Sequence, residues 1–346
     1  MKITGLDREF YVIGENIHAT RVYLLKGKHI VQTSDGQEAI QFTDGNNVER
    51  QLYLTDEEKK SQNYAEGRVK HMKVAMQQAM QDSGQQGDVA RAYLEWQMQR
   101  QVDAGADFLD LNVDEISTRE SEQQAAMVWL VEFMQACSPI PLAIDSSNPE
   151  TIRIGLETYN GESGRPLLNS ASLERISALE LAKRHNALVV ATAAGSSAMP
   201  SGPEERLDHV SRMIEQATAI GIPLEDIHVD PLFFPISVDV RFGQHAFEAI
   251  RLVRERFGPD IHITGGFSNV SFGLPCRRLI NDVFFILATE QGADSAIIDP
   301  VTSNPQQVFD LDRSSNAYQL ALAMLMGEDK DCKKYLKAYR KGELNF

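Results

Sequence analysis

The stretch His262-Ile263-Thr264-Gly265-Gly266-Phe267-Ser268-Asn269-Val270-Ser271-Phe272-Gly273-Leu274-Pro275 decides how the rest of the chain is read. An apolar strand runs into a glycine pair, then a Ser-Asn-Val-Ser turn, then Gly-Leu-Pro. Glycines let backbone approach a ligand closely. A carboxamide, Asn269, stands where the strand ends. This is the pattern of a binding loop carried on a rigid strand.

The same plan repeats on both sides of that stretch. Short apolar runs at 10–16, 107–113, 141–146, 166–170, 187–192, 227–231 and 295–300 read as strands. Amphipathic runs at 89–104, 120–136, 149–158, 173–185, 203–219, 244–256, 279–291 and 305–326 read as helices. Pro149 suits a first helical turn. Alternating strand and helix predicts a parallel sheet. Eight such units predict a closed (β/α)8 TIM barrel, a fold of about 250 residues. An open doubly wound sheet is the competitor, but it would show a G-x-G-x-x-G turn after an early strand, and the sequence has none.

One segment breaks the alternation. Residues 20–87 are inserted after the first strand, which puts them at the catalytic rim of a single barrel spanning 1–346. The first half of the insertion is rich in strand formers, with hairpin signals at Asp35-Gly36 and Asp44-Gly45. The second half, 56–81, is helical in composition, with Thr55 and Glu58 spaced as a capping box. A surface elaboration or dimer contact is the plain reading of this segment. A lid or docking surface for a partner protein is the sharper one.

Bulk properties narrow the function. The chain has 346 residues, 42% of them hydrophobic, and a formal net charge of −15. An acidic balance argues against a nucleic-acid surface. Cys137, Cys276 and Cys332 are far apart and read as reduced thiols. No apolar run approaches the about 18 residues of a membrane span. Residues 1–8 lack a signal-peptide core. A cytoplasmic location is expected.

The strand bodies are apolar, but their carboxyl ends are not. In order they carry Glu15-Asn16, Asn112, Asp145, Asn169, Thr192, Asp230, Asn269 and Asp299. In a barrel these ends share one mouth, where active sites of the fold sit. Any one of them could be a turn or cap residue, Asp299 before Pro300 above all. The set lacks a lysine placed for a Schiff base and a glycine-rich phosphate cradle. His18, His228, His245 and His262 lack metal spacing and read as structural, so no metal is expected. A ring of carboxylates and carboxamides suits a flat heterocycle with donors and acceptors on its edge. A reduced pterin has such an edge.

These residues also carry a family resemblance. Segments 107–113, 143–150, 169–170, 229–232 and 266–273 resemble, in barrel order, the pterin-binding barrel of methyltetrahydrofolate:corrinoid methyltransferases. The folate module of cobalamin-dependent methionine synthase is a relative, and dihydropteroate synthase is a more distant one. The resemblance implies methyl transfer between a corrinoid protein and tetrahydrofolate, in demethylation or one-carbon metabolism. It implies Asp145, Asn169 and Asp230 on the pyrimidine edge, Asn112 beside the ring, and Asn269 near the nitrogen that carries the methyl group. Asn269 and Asp230 are the candidate catalytic residues. Gly266 and Ser268 would shape the loop, and Arg277 would face the folate tail or the partner. Tetrahydrofolate or 5-methyltetrahydrofolate would be the substrate, cobalamin would be borne by a partner protein, and the enzyme would be a homodimer. Phe272 departs from some acetogenic relatives, which have glutamine there. Two alternatives stand beside this reading. A dihydropteroate synthase-like enzyme would need a lysine on strand seven and cations at strand eight, which this sequence lacks. A non-catalytic pterin-binding scaffold would keep the ring without turnover.

Overall fold

The computed structural model describes residues 2–3, 9–81 and 83–344. The reading of residues 1–8 as lacking a leader falls largely outside them. Eight parallel strands form one sheet: β1 (Tyr11–His18), β2 (Phe108–Asn112), β3 (Leu142–Asp145), β4 (Leu167–Ala171), β5 (Leu188–Thr192), β6 (Ile227–Asp230), β7 (His262–Ile263) and β8 (Ser295–Ile298). Their order is β7-β6-β5-β4-β3-β2-β1-β8. The ends of that row meet through an isolated parallel bridge, Gly266 to Ile297, where the Ile297 N–H donates to the Gly265 carbonyl at 2.9 Å. The result is a nearly closed TIM barrel. Strand bodies are buried on both faces, as in β2, which is why they read as apolar runs.

The barrel helices are α1 (Gln85–Asp103), α2 (Glu120–Cys137), α3 (Pro149–Thr158), α4 (Ala178–Arg184), α5 (Pro203–Ala219), α6 (Arg241–Phe257), α7 (Arg277–Gln291) and α8 (Asn316–Leu325). Pro149 opens α3, and Asn148 caps it by accepting from the Glu150 N–H at 2.9 Å. Gly243 in α6 is a packing requirement: a Cβ there would lie 2.0 Å from the Leu325 carbonyl oxygen at the end of α8.

Two expected helices are shorter than the sequence suggests, for one reason. Residues 173–177 are turns, tied by Arg175 N–H to Ser172 Oγ at 3.2 Å, and α4 starts only at Ala178. The run 305–326 splits into a single turn, Val308–Asp310, and then α8. There Asp312 accepts from the Ser314 N–H, and Ser315 accepts from the Tyr318 N–H to start α8 afresh. Short polar side chains that bond nearby backbone compete with a continuing helix. A terminal helix, Lys333–Arg340, lies beyond the expected elements.

In the insertion, Ile30–Gln32, Glu38–Thr43 and Glu49–Tyr53 form a three-stranded antiparallel sheet. Its turns fall at Asp35-Gly36 and Asp44-Gly45, as read. The region 56–81 divides into Asp56–Lys59, Gln62–Ala65 and His71–Gln81. Thr55 caps the first piece by accepting from the Glu58 N–H. Glu58 does not return the bond: its carboxylate accepts from the Lys70 N–H at 2.8 Å, and Ser61 starts a second helix. The segment is anchored on α1. The Tyr23 ring stacks on His71 at 3.8 Å, and the buried Tyr93 hydroxyl sits 2.8 Å from His71 Nδ1. Burial holds the His71 imidazole well below its usual pKa, so this stack is neutral. No described helix is long and apolar enough to cross a membrane.

Contacts divide the chain into two compact units. The described residues up to Gly14, with Ala104–Asp107 and the chain from Leu167 onward, form the first. Glu15–Asp103 and Phe108–Pro166 form the second.

Candidate active site

In the second unit the strand ends carry a dense acidic network. Side chains two apart on a strand share a face, so Asp110 lies one layer deeper than Asn112 on β2. Asp110 is fully buried, and its Oδ2 is 3.0 Å from Nε2 of His18 at the end of β1. Asn112 donates from Nδ2 to Asp145 Oδ2 at 2.8 Å and accepts from the Asp114 N–H at 3.0 Å. Its carboxamide is therefore a prop for Asp145. Asp114 in turn accepts from Ser146 Oγ at 2.5 Å and from the Ser147 N–H at 2.8 Å. Glu15 and Asn16 are both held by Arg21, at 3.2 and 2.6 Å.

The electrostatics follow from that crowding. Burial, then the nearby Asp110 carboxylate, push Asp145 up to about 7, against the pull of His18 and Asn112. Burial alone would lower His18, but its bond to Asp110 and the charges of Asp110, Asp145 and Glu15 outweigh it and raise it. Ligand atoms of His18, Asp110 and Asp145 lie within 4.8 Å of one another. His18 was expected to be structural. The structure pairs it with Asp110, and that contact favours its charged form. Sequence reading passed over Asp110, although its i, i+2 spacing to Asn112 was the available signal.

In the first unit the arrangement is sparser. Asp230 ends β6, and its Oδ1 accepts from the Leu232 N–H at 2.8 Å. Leu232 has φ +63°, a left-handed conformation that costs a non-glycine residue free energy. Burial pushes Asp230 up to about 6, while the Leu232 bond and Arg206 pull it down. Asn169 is buried on β4, where the pairing register with β5 shifts after Asn169. Such a bulge re-aims side chains. The Asn169–Ser170 peptide is cis, and Arg175 Nη2 donates to Ser170 Oγ at 3.2 Å.

Gly265 of the glycine pair also meets a packing requirement. Gly265 has φ +144°, and a Cβ on it would lie 2.4 Å from the Phe233 ring and 2.7 Å from Asp230 Oδ1. The missing side chain thus makes room for the Asp230 loop. Residues Phe267–Ser271 then form a short helical turn that leaves Asn269 exposed. Phe267 is buried beneath it, edge-on to Phe233 and Phe284 at 5.5 and 5.2 Å. Arg277 clamps the turn by donating to the Ser268 carbonyl at 2.7 Å and to Ser271 Oγ at 3.0 Å. Asp299 behaves as a turn residue: it accepts from the Val301 and Thr302 N–H groups and from the Thr302 hydroxyl.

His228 and His262 pack with Tyr11 at ring separations of 4.7–5.5 Å. His228 bonds Ser295, and His262 bonds Asp294. Burial, then His262, hold His228 down at about 3.

Eight parallel strands with polar residues gathered at their carboxyl ends define a barrel enzyme. The profile of the pterin-binding enzyme family matches residues 63–299. The chain is 30% identical over 258 residues to a methylcorrinoid:tetrahydrofolate methyltransferase of Eubacterium limosum, covering 70% of this chain and 86% of that protein. It is 31% identical over 209 residues to a methionine synthase of Mycobacterium tuberculosis, covering 56% of this chain but only 17% of that much longer protein. Among solved structures, dihydropteroate synthase from Xanthomonas albilineans in complex with 7,8-dihydropteroate superposes with a TM-score of 0.51 at 18% identity, over 64% of this chain and 84% of that one. That likeness is one of fold. The chain belongs to the family of pterin-binding enzymes, on its methyltransferase branch.

Proposed function

We propose that the protein transfers a methyl group between tetrahydrofolate and a corrinoid carried by a separate protein. The carrying observation is the pair of half-buried strand-end carboxylates, Asp145 and Asp230. Each is held above its ordinary pKa by burial, and each gains when a donor edge reaches it. A pterin's pyrimidine edge supplies neighbouring N–H donors of that kind. The naming of the Eubacterium limosum relative as a methylcorrinoid:tetrahydrofolate methyltransferase supports the choice of partners.

In this reading Asp145, Asn169 and Asp230 take the pyrimidine edge, and Asn112 holds Asp145 to it and lies beside the ring. Asn269 bonds near the ring nitrogen that carries the methyl. Gly266 and Ser268 shape its loop. Arg277 holds that loop on the folate-tail side. With tetrahydrofolate as acceptor, the nitrogen lone pair forms the new C–N bond, the electrons of the breaking carbon–cobalt bond stay with the cobalt, and the nitrogen loses its proton. In the other direction the nitrogen must gain positive character as it leaves, and a hydrogen bond that strengthens in the transition state lowers the barrier. Asn269 can orient that nitrogen but cannot supply a proton, so water or a carboxylate must move it. The corrinoid protein is the expected partner, and the working form is expected to be a homodimer.

The deciding experiment mixes purified protein with tetrahydrofolate and free methylcobalamin, and follows 5-methyltetrahydrofolate by chromatography. Product should form, and the protein alone should bind tetrahydrofolate without turnover. Tight pterin binding with no methyl transfer in either direction would leave a binding scaffold. Dihydropteroate formation from a pterin diphosphate and p-aminobenzoate would move the protein to the synthase chemistry.

A further inference from the structure

Arg206 is the largest fully buried side chain among the described residues. It lies in the first turns of α5, and its Nε, Nη1 and Nη2 all lack a hydrogen-bond partner among the described residues. Its guanidinium sits 5.0 Å from the centre of the Phe234 ring, on the loop that leaves Asp230. A buried cation without an acceptor is costly, and an aromatic face compensates only in part. A guanidinium also does not shed its charge when buried, unlike a lysine or histidine. The group therefore requires a negative charge nearby.

The acidic groups that act on Arg206 are Asp230 first and Glu205 second. Glu205 is engaged elsewhere: it accepts from the Ser201 hydroxyl and N–H, both at 2.7 Å, and stands 3.9 Å from His209 Nε2. His209 itself bonds the Ala193 carbonyl through Nδ1. On α6, His245 feels Arg206, Arg241, Asp239 and Glu204, and burial first, then Arg206, depress it, so it adds no anion. Asp239 is paired with Arg241 at 2.6 Å. Asp230 is thus the leading answer to the buried charge, and Arg206 is the charged group that lowers the Asp230 carboxyl.

We infer that Arg206 is a positioning residue: a buried, permanent counter-charge on α5 that keeps Asp230 ionised to accept a donor edge. The inference rests on the reading of Asp230 as a pterin ligand only for its functional consequence. The electrostatic claim can be tested without ligand.

The first measurement is the carboxyl titration of Asp230 in the ligand-free wild-type protein by carbon-13 NMR. Asp230 should titrate below pH 7, and a carboxyl still neutral at pH 7 would overturn the inference. The second compares Arg206→Met and Arg206→Gln. Gln keeps polarity without charge and carries the test if Met does not fold. Both should move the Asp230 titration up by about one unit or more. For a one-unit rise, tetrahydrofolate affinity, measured by calorimetry from pH 5.5 to 8.5, should then fall about threefold near pH 6.5, approach tenfold toward pH 5.5, and recover toward pH 8.5. A uniform loss at every pH, with the titration unmoved, would mean that Arg206 only packs. Asp230→Asn is run in parallel. If it binds tetrahydrofolate as tightly as wild type, the pterin reading of Asp230 fails while the titration still judges Arg206. If Asp230→Asn loses affinity but the arginine variants leave the midpoint in place, the inference fails alone.

Discussion

Asp145 and Asp230 occupy equivalent places, each the last residue of a barrel strand, yet their surroundings solve the same problem differently. Asp145 stands in a crowd of carboxylates, and a histidine balances the charge. Asp230 stands apart from other acids, with a buried arginine behind it. Histidine changes charge near neutral pH, whereas arginine does not. The counter-charge of Asp145 is thus conditional and that of Asp230 is fixed. Removing His18 should therefore make Asp145 behave like an unbalanced buried acid, and removing Arg206 should do the same to Asp230.

The largest effect is expected from the carboxylates themselves. Asp230→Ala or Asp145→Ala should weaken tetrahydrofolate binding roughly 10- to 100-fold, the scale of a lost charge-assisted hydrogen bond. Calorimetry at pH 7.5 measures it, and unchanged affinity in either variant would remove that residue from the pterin edge. Asn269→Ala should next lower kcat about 10- to 100-fold with little change in tetrahydrofolate affinity, as expected for a contact made mainly in the transition state. A change in affinity alone would reassign Asn269 to binding.

Stability should move the opposite way from function. In the folded protein Asp145 titrates near 7, above its ordinary 3.8, so the folded state holds more protons than the unfolded one between those values. Stability then falls as pH rises through that window, and the cost persists above it. Asp145→Asn should stabilise the ligand-free protein at pH 8 by on the order of 2 kcal/mol, since partial exposure and coupling temper the full shift. The gain should vanish below about pH 4. Urea unfolding at pH 8 and pH 4 tests this, and equal gains at both would sink the electrostatic account. The smallest effect is that of His18→Gln. It should move the pH midpoint of pterin binding upward, because His18 holds Asp145 down. A parallel loss at all pH values would mean that His18 serves only to hold Asp110.

Much of this was legible in the chain. The apolar runs marked the eight strands because buried parallel strands favour apolar side chains, and the polar residues ending them marked the candidate site. The Asp-Gly pairs of the insertion placed both of its hairpin turns. The readings that failed did so where short polar side chains bond their own backbone, as Ser172, Asp312 and Ser315 do, because helical periodicity does not record such competition. What the glycine pair did not reveal locally is that Gly265 makes room for Phe233 and Asp230.

The sequence by itself determined the strand–helix alternation, the family and the polar strand ends, because burial and period are local properties of the chain. Only the tertiary structure decided which charges answer one another. His18 and Asp110 are 92 positions apart, and Arg206 and Asp230 sit on different elements. Nothing in the local pattern of either sets that pairing. It arises when the barrel brings a strand end and a neighbouring strand or helix into one low-dielectric layer, where a lone charge is too costly to keep.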